Sequence, residues 1–453
     1  MNRPTPFLGL AIVGLGAALG PFDGAVNLSL PAITAHFALS LSDVQWLVIC
    51  YVMVYGTLML VCGKLGDLFG HRLIFQLGLV ASMAGCTLCA LAPSWPLFLA
   101  ARASQGIGTA MVLSCGPALA TAVYPEARRV TALAGFAASQ ALAAAAGPLL
   151  GGVLIALWDW PAVFWVRVPV ALLVLAASGL LPRAPRRAAG TFDALGAGLL
   201  ALWMSAAILS LAFAQRSDIA AGARLALLAA AVLGLAAFIW REQHFAEPII
   251  RPALFADASF AVPNALNLLA NLASFAVLLL TPYYLLNALQ LSVPVGGMVL
   301  AVPFIGAIAG ASLAARLVPR SGPRRMTFVG VALQGVALLA IGRSAADTPL
   351  LVVMVMLLAA GIGQGLTNVA YTEIVTGTLA QRDRGVAGSL TMLTRTLGIV
   401  SGAAVLSALH KAGAGEPASF MAGYRFAFTV AAGGLLAALA LSCLWPRAWF
   451  ARG

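Results

Sequence analysis

Four charged side chains lie inside long apolar runs. Asp23 interrupts the run 7–31, Arg102 the run 96–124, Glu373 the run 348–379 and Arg395 the run 385–409. An ionised side chain at mid-bilayer costs roughly 2.5–3.5 kcal/mol on insertion scales, so each should face a partner or a water-filled cavity. A carboxyl that takes up and releases a proton in such a place suits a proton or cation site, and Asp23 is the first candidate. A structural hydrogen bond to a neighbouring helix is its plainer use. Arg102 does not lose its proton. Its open roles are to bias a nearby carboxylate or to anchor a contact between helices, and the same two readings hold for Arg395. Glu373 lies about 12 Å along a helix from the charged turn at Arg382, too far to reach water along lipid. It is read either as a second acid that meets cationic substrates or as a hydrogen-bonding group. Asn27 and Gln105 are further polar residues within the runs, and Arg167 stands at the edge of another.

The elements that must position these groups are membrane helices. Only 9% of the 453 residues are charged and 62% are apolar, against about 25% charged in soluble domains. Uninterrupted apolar runs recur throughout, as in an all-α polytopic membrane protein. Fourteen spans are expected, near 7–31, 46–62, 73–92, 96–124, 130–157, 162–181, 193–214, 223–240, 260–287, 294–315, 326–342, 348–379, 385–409 and 426–445. The net charge of +12 forms no basic stripe of the kind nucleic acid requires. With the N-terminus inside, eighteen Lys and Arg residues fall in cytoplasmic segments and five in outer ones, so both termini should be cytoplasmic, in the plasma or inner membrane. The first apolar run imitates a signal peptide but continues past Asp23 to Pro31, and is read as a retained span.

The six cysteines sit in or beside apolar runs. Cys86 and Cys89 form a CxxC inside an expected span, but no second pair or nearby histidine completes a zinc site. The four histidines lack ligand spacing, and Gly63-Lys64 lacks the rest of a phosphate-binding loop. No metal and no cofactor is expected. Energy should come from a proton or other ion gradient, and the reading is a transporter rather than an enzyme, acting as a monomer on a small-molecule substrate.

A charged, glycine-rich turn, Gly63–Arg72, joins two uncharged runs. Within it Gly63, Gly66 and Gly70 allow a tight reversal, and Asp67 and Arg72 carry charge. In the fifth span Gly147, Pro148, Gly151 and Gly152 suit close helix contact and a missing backbone hydrogen bond. The chain also repeats itself. Gly106-Ile107-Gly108 recurs as Gly361-Ile362-Gly363, and at the same offset Arg129 aligns with Arg384, Gly147 with Gly402 and Gln140 with Arg395. Lys64, Gly70 and Arg72 have a weaker echo in Arg316, Gly322 and Arg324. Such parallel repeats suggest two six-helix bundles, residues 1–183 and 259–453, with two extra spans and their linkers at 184–258.

Gly63–Arg72 resembles the loop signature between the second and third helices of the major facilitator superfamily. Arg102 with Gln105-Gly106 resembles its fourth-helix signature. Gly147-Pro148-Leu-Leu-Gly151-Gly152 resembles the Gly-Pro-x-x-Gly-Gly signature of its exporters, and Asp23, Asn27 and Pro31 resemble a first-helix pattern. With fourteen spans, the set resembles the drug:proton antiporter branch. Two departures stand out. Trp160-Pro161-Ala162-Val163-Phe164 replaces the usual Trp-Arg-Trp-Ile-Phe, and Arg167 stands where the family usually has Asn.

The resemblance implies proton-coupled efflux of lipophilic or cationic small molecules by alternating access. It implies coupling roles for Asp23, Arg102 and Glu373, and gating roles for the Gly63–Arg72 turn and the Gly147–Gly152 motif. The alternatives are a transporter of one specific metabolite and a non-transporting membrane scaffold or sensor.

Overall fold

The computed structural model describes residues 5–125, 128–182, 193–213, 219–245, 252–378, 384–415, 419–445 and 449. Of the expected linkers at 182–192 and 241–259, residues 183–192 and 246–251 lie outside the described residues, as does the turn around Arg382. All regular structure among the described residues is helical. The sixteen helices are α1 (Pro6–Ala18), α2 (Gly24–His36), α3 (Leu41–Phe69), α4 (His71–Leu91), α5 (Trp95–Val123), α6 (Arg129–Trp158), α7 (Ala162–Trp165), α8 (Arg167–Ala177), α9 (Ala194–Phe213), α10 (Ala221–His244), α11 (Ala258–Tyr283), α12 (Val293–Ser321), α13 (Pro323–Ile341), α14 (Leu350–Thr378), α15 (Arg384–Gly413) and α16 (Phe420–Ser442).

Among the described residues twelve stretches are long and apolar enough to cross a membrane, and a thirteenth is the bent helix α3. Of the fourteen expected spans, the one on α15 is not among these; the side chains of its first turns, within 384–393, lie largely outside the described residues. The pair α9 and α10, expected between the bundles, both qualify. The first expected span is not one continuous helix. It breaks at a single 3₁₀ turn, Pro21–Asp23, between α1 and α2, because Pro21 supplies no N–H to continue the α ladder. Large apolar side chains such as Leu88, Leu172, Leu228 and Leu351 are exposed. Such a surface suits hydrocarbon, not water.

The chain divides into two compact units, Met1–Ala201 with Ser292–Ala301, and Leu202–Leu291 with Val302–Gly453. Within unit 1, α4 lies along α5, and α1 and α2 pack on α6. The helices of α4 and α5 approach closely: a Cβ on Gly108 would stand 2.4 Å from Ser82 N. Unit 2 repeats the arrangement, where a Cβ on Gly363 would stand 2.6 Å from Gln334 N of α13. The internal repeat therefore marks the same small-residue contact twice. Arg129 and Arg384, also aligned by the repeat, each begin a helix. Gly70 and Gly322, at φ of 101° and 82°, make the two corresponding turns, a backbone shape that residues with a Cβ rarely adopt.

Candidate functional site

Asp23 sits at the end of the 3₁₀ turn that breaks the first span. A helix break frees backbone groups and lets a side chain leave the helical register, and here the carboxylate is held by arginines from two other helices. Arg102 of α5 grips it with a fork, Nη1 to Oδ1 at 3.0 Å and Nη2 to Oδ2 at 2.7 Å. Arg167, the first residue of α8, donates Nη1 to Oδ1 at 2.8 Å. Two-point pairing between a guanidinium and a carboxylate is among the strongest charge-assisted geometries. Arg102 is 0% exposed and Arg167 2%, while the Asp23 side chain keeps 19%. The carboxylate is thus the reachable member of a buried trio.

The rest of Arg102 is also fixed. Its Nε donates to Leu47 O at 3.2 Å and its Nη1 to Gln105 Oε1 at 2.7 Å. Its guanidinium carbon lies 4.3 Å from the Tyr51 ring centroid, a cation–π contact of about 0.5–2 kcal/mol. Tyr51 in turn donates to Thr109 Oγ1 at 3.2 Å. Arg167 is less well matched. Its Nε and Nη2 are buried without a hydrogen-bond partner among the described residues, and the Cys86 thiol beside it is a poor acceptor. The trio carries one negative and two positive charges, so Asp23 balances only one of its partners.

Two further groups of residues place the trio. Gly147, Pro148 and Gly151 of α6 fit against the Asp23 turn: a Cβ on Gly147 would lie 2.9 Å from Phe22 O, and one on Gly151 2.7 Å from the Ala25 Cβ. From the turn's side of the same contact, a Cβ on Gly24 would meet Pro148 Cδ at 3.0 Å. Gly152 faces the start of α12, where a Cβ would lie 2.9 Å from Val293 O. The atypical segment Trp160–Phe164 joins an aromatic cluster with Phe37, Trp95 and Phe98. The Phe164 ring centroid stands 5.9 Å from the Arg102 guanidinium and 5.8 Å from that of Arg167. Apolar rings against the charges keep their dielectric low, which strengthens the ion pairs.

In the turn Gly63–Arg72, Asp67 lies 3.2 Å from His71 Nε2, one helical turn on. Gly66 makes room for that histidine, since a Cβ there would lie 2.4 Å from His71 Nδ1. Arg72 Nη1 donates to Leu181 O at 2.9 Å, beside a Gln76 to Ser178 hydrogen bond of 2.8 Å. Carbonyls at the end of a helix lack partners, and a cation there satisfies them. Gly63 borders Ser114 in ordinary contact.

Of the other expected site residues, Asn27 lies one helical turn beyond Asp23 and is half-buried. Glu373 and Arg395 belong to unit 2 and are exposed. Arg167 is the residue that sequence reasoning left out of the site. The signal was present: three arginines within or at the edge of spans, and a departure from the family pattern at that position. Among the described residues of unit 2 there is no such trio. Gly402, the repeat partner of Gly147, abuts Leu272 O as Gly147 abuts Phe22 O, and the next residue is Ala273, where unit 1 has Asp23. In its place is a neutral network. Asn267 Nδ2 donates to Thr394 Oγ1 at 3.1 Å, Tyr371 OH to Asn264 Oδ1 at 2.7 Å, and Gln334, Ser274 and Gln364 bond together. Among the described residues no cluster of His, Cys, Asp or Glu could hold a metal ion.

Comparison with known proteins agrees with this architecture. The chain is 30% identical over 414 residues to multidrug resistance protein Stp of Mycobacterium tuberculosis (strain CDC 1551 / Oshkosh), covering 90% of this chain and 76% of that one. It is 26% identical over 406 residues to riboflavin transporter RibZ of Clostridioides difficile (strain 630), covering 88% and 87%. Its fold matches the crystal structure of a bacterial homolog of the human lysosomal transporter Spinster, in an inward-facing and unoccupied conformation, with a TM-score of 0.72, 16% identity and coverage of 99% and 98%. The family model described as Major Facilitator Superfamily matches residues 7–240 and 265–448. With its membrane helices, its repeated glycine contacts and the Asp23 break, the chain belongs to the major facilitator superfamily of integral membrane transporters.

Proposed function

We propose that this protein exports lipophilic small molecules in exchange for protons, by alternating access in the plasma membrane. One observation carries the reading: a part-exposed carboxylate, Asp23, joins the break in the first span to α5 and α8 through two buried arginines. While ionised it ties three elements together. A proton on Asp23 removes the charge that holds them and leaves two guanidinium groups that repel each other, so the tie opens. Loss of the proton on the other side restores it. Arg102, always charged, is the fixed counter-charge, and the Phe164 ring lies beside both guanidinium groups. The name of the relative Stp supports a multidrug exporter.

In the same reading Glu373 is a second acid, exposed on α14, that meets cationic substrates from the cytoplasm. Glu373→Gln should then weaken export of cationic dyes by about tenfold relative to neutral ones of similar size, measured as initial efflux rates. Equal effects on both would make Glu373 structural.

The test of the main reading is efflux of a panel of lipophilic dyes from cells that lack other exporters, with and without an uncoupler. Energised cells should accumulate less dye when the protein is present, and the uncoupler should erase the difference. Export that persists in full with the gradient collapsed would overturn proton coupling. The neutral amide and hydroxyl network of unit 2, together with the name of the relative RibZ, favours a second reading: transport of one polar metabolite. Robust movement of a single polar compound, and of none of the dyes, would select it.

A further inference from the structure

A chain of hydrogen bonds in unit 2 has a direction. It begins at the Ala270 carbonyl of α11, which can only accept. Gln334 Nε2 of α13 donates to it at 2.9 Å, and this fixes which way the Gln334 amide is turned. The same nitrogen faces Ser274 Oγ, and donates to Gln364 Oε1 of α14 at 3.0 Å. Ser274 uses its one hydroxyl proton on Gln364 Oε1. With both lone pairs of that oxygen occupied, the Gln364 amide is fixed as well, and its Nε2 donates to Asn368 Oδ1 at 3.0 Å. Asn368 therefore accepts on its inner side and turns its NH₂ outward. That nitrogen has no partner among the described residues, and the residue is exposed.

Asn368 belongs to a polar stripe on α14 with a four-residue period: Gln364, Asn368, Thr372 and Thr376. Four residues bring a helix back to nearly the same side. Both threonine hydroxyls are turned back onto their own helix, Thr372 to Asn368 O at 2.7 Å and Thr376 to Thr372 O at 2.8 Å. The stripe thus offers the outside the two protons of Asn368 Nδ2 and, from the half-buried Gln364, the second proton of its Nε2. A polar stripe in a membrane helix is costly against lipid and belongs on an aqueous or substrate path. The exposed apolar residues of α14, Leu351, Val352 and Val355, lie near its other end. Glu373, five residues on from Asn368, points about 140° away around the helix.

We propose that Asn368 is a substrate-contacting residue that donates its Nδ2 protons to an uncharged acceptor oxygen, so that the favoured cargo are lipophilic molecules bearing carbonyl or quinone oxygens. This rests on the exporter reading for transport, but the contact itself is read by binding. Gln334, Ser274 and Gln364 are positioning residues: they hold the Asn368 amide in the donating orientation before cargo arrives, which removes an ordering cost from binding.

The experiment compares an anthraquinone dye with its anthracene counterpart, which lacks the ring oxygens. Equilibrium binding to the purified full chain in detergent is measured for the wild type, Asn368→Asp and Asn368→Leu. Asn368→Asp keeps the size and removes the donors; Asn368→Leu removes both polar atoms. In each variant the ratio of anthraquinone to anthracene affinity should fall about tenfold, the size of one net hydrogen bond. Gln364→Leu, which frees the amide to turn, should lower the ratio by a smaller factor. An unchanged ratio in both Asn368 variants overturns the proposal, as does an equal loss for the two probes. Efflux of the same dyes from energised vesicles is read separately. If the binding ratio shifts but no dye is moved, the contact stands and the exporter reading fails.

Discussion

At Asp23 the question is how one carboxylate serves two arginines. Breaking a buried, hydrogen-bonded ion pair costs roughly 3–5 kcal/mol, because the remaining charge is left uncompensated. In Asp23→Asn two guanidinium groups lose their counter-charge, so thermal unfolding in detergent should show a loss of that order. The double variant Asp23→Asn, Arg167→Asn returns the cluster to a single net positive charge, as in the wild type, and should recover more than half of the lost stability. Neither variant should show proton-dependent efflux. If the double variant regains it, Asp23 is a structural anchor and the coupling mechanism fails. Arg102 is not interchangeable with lysine, since its fork and its Leu47 and Gln105 bonds occupy all three guanidinium nitrogens. Arg102→Lys should lose most efflux even where the protein is still inserted, as judged by the membrane-extracted yield.

Among the helices, small residues decide what can approach what. Gly147 is pressed against Phe22 O, one residue from Asp23. Gly147→Leu should push the Asp23 turn away from α6 and abolish efflux, and a variant with wild-type efflux would show that the α6 contact is dispensable. In unit 2 the equivalent test is Gly363→Ala, whose Cβ would meet Gln334 N at 2.6 Å. Overpacking of this kind costs about 1–3 kcal/mol, and the shift of α13 should also disturb the amide that orients Gln364. A lower unfolding temperature with a smaller anthraquinone-to-anthracene binding ratio is the expected pair of results.

For the whole molecule, topology is the testable property. The turn carrying Lys64, His71 and Arg72 should face the cytoplasm, as the distribution of basic residues requires. A membrane-impermeant thiol reagent should label His71→Cys, in a background without the native cysteines, only after the cells are permeabilised. Labelling of intact cells would reverse the orientation. The two units share their glycine contacts and helix starts but differ in polar chemistry: unit 1 holds the charged trio and unit 2 neutral amides and hydroxyls. That division suits one unit to protons and the other to cargo, a separation that variants of Asp23 and Asn368 would display as independent defects in coupling and in selectivity.

The family was legible without coordinates, because lipid imposes a coarse and unforgiving pattern. Apolar runs must be helices, basic residues mark one side, and the glycines at 108, 147, 363 and 402 betray close contacts by their spacing alone. The isolation of Asp23 and Arg102 in apolar runs also announced that they needed partners. The identity of those partners could not be read from the chain. Asp23, Arg102 and Arg167 are far apart in sequence, and only the break at Pro21–Asp23 and the packing of α5 and α8 decide that they meet. The same holds for Asp67, which lies against its neighbour His71, while Arg72 reaches the Leu181 carbonyl. It holds most fully for Asn368. An asparagine in a span reads the same in either amide orientation, and tertiary structure alone, through the Ala270 carbonyl and two glutamines, decides which atom it presents.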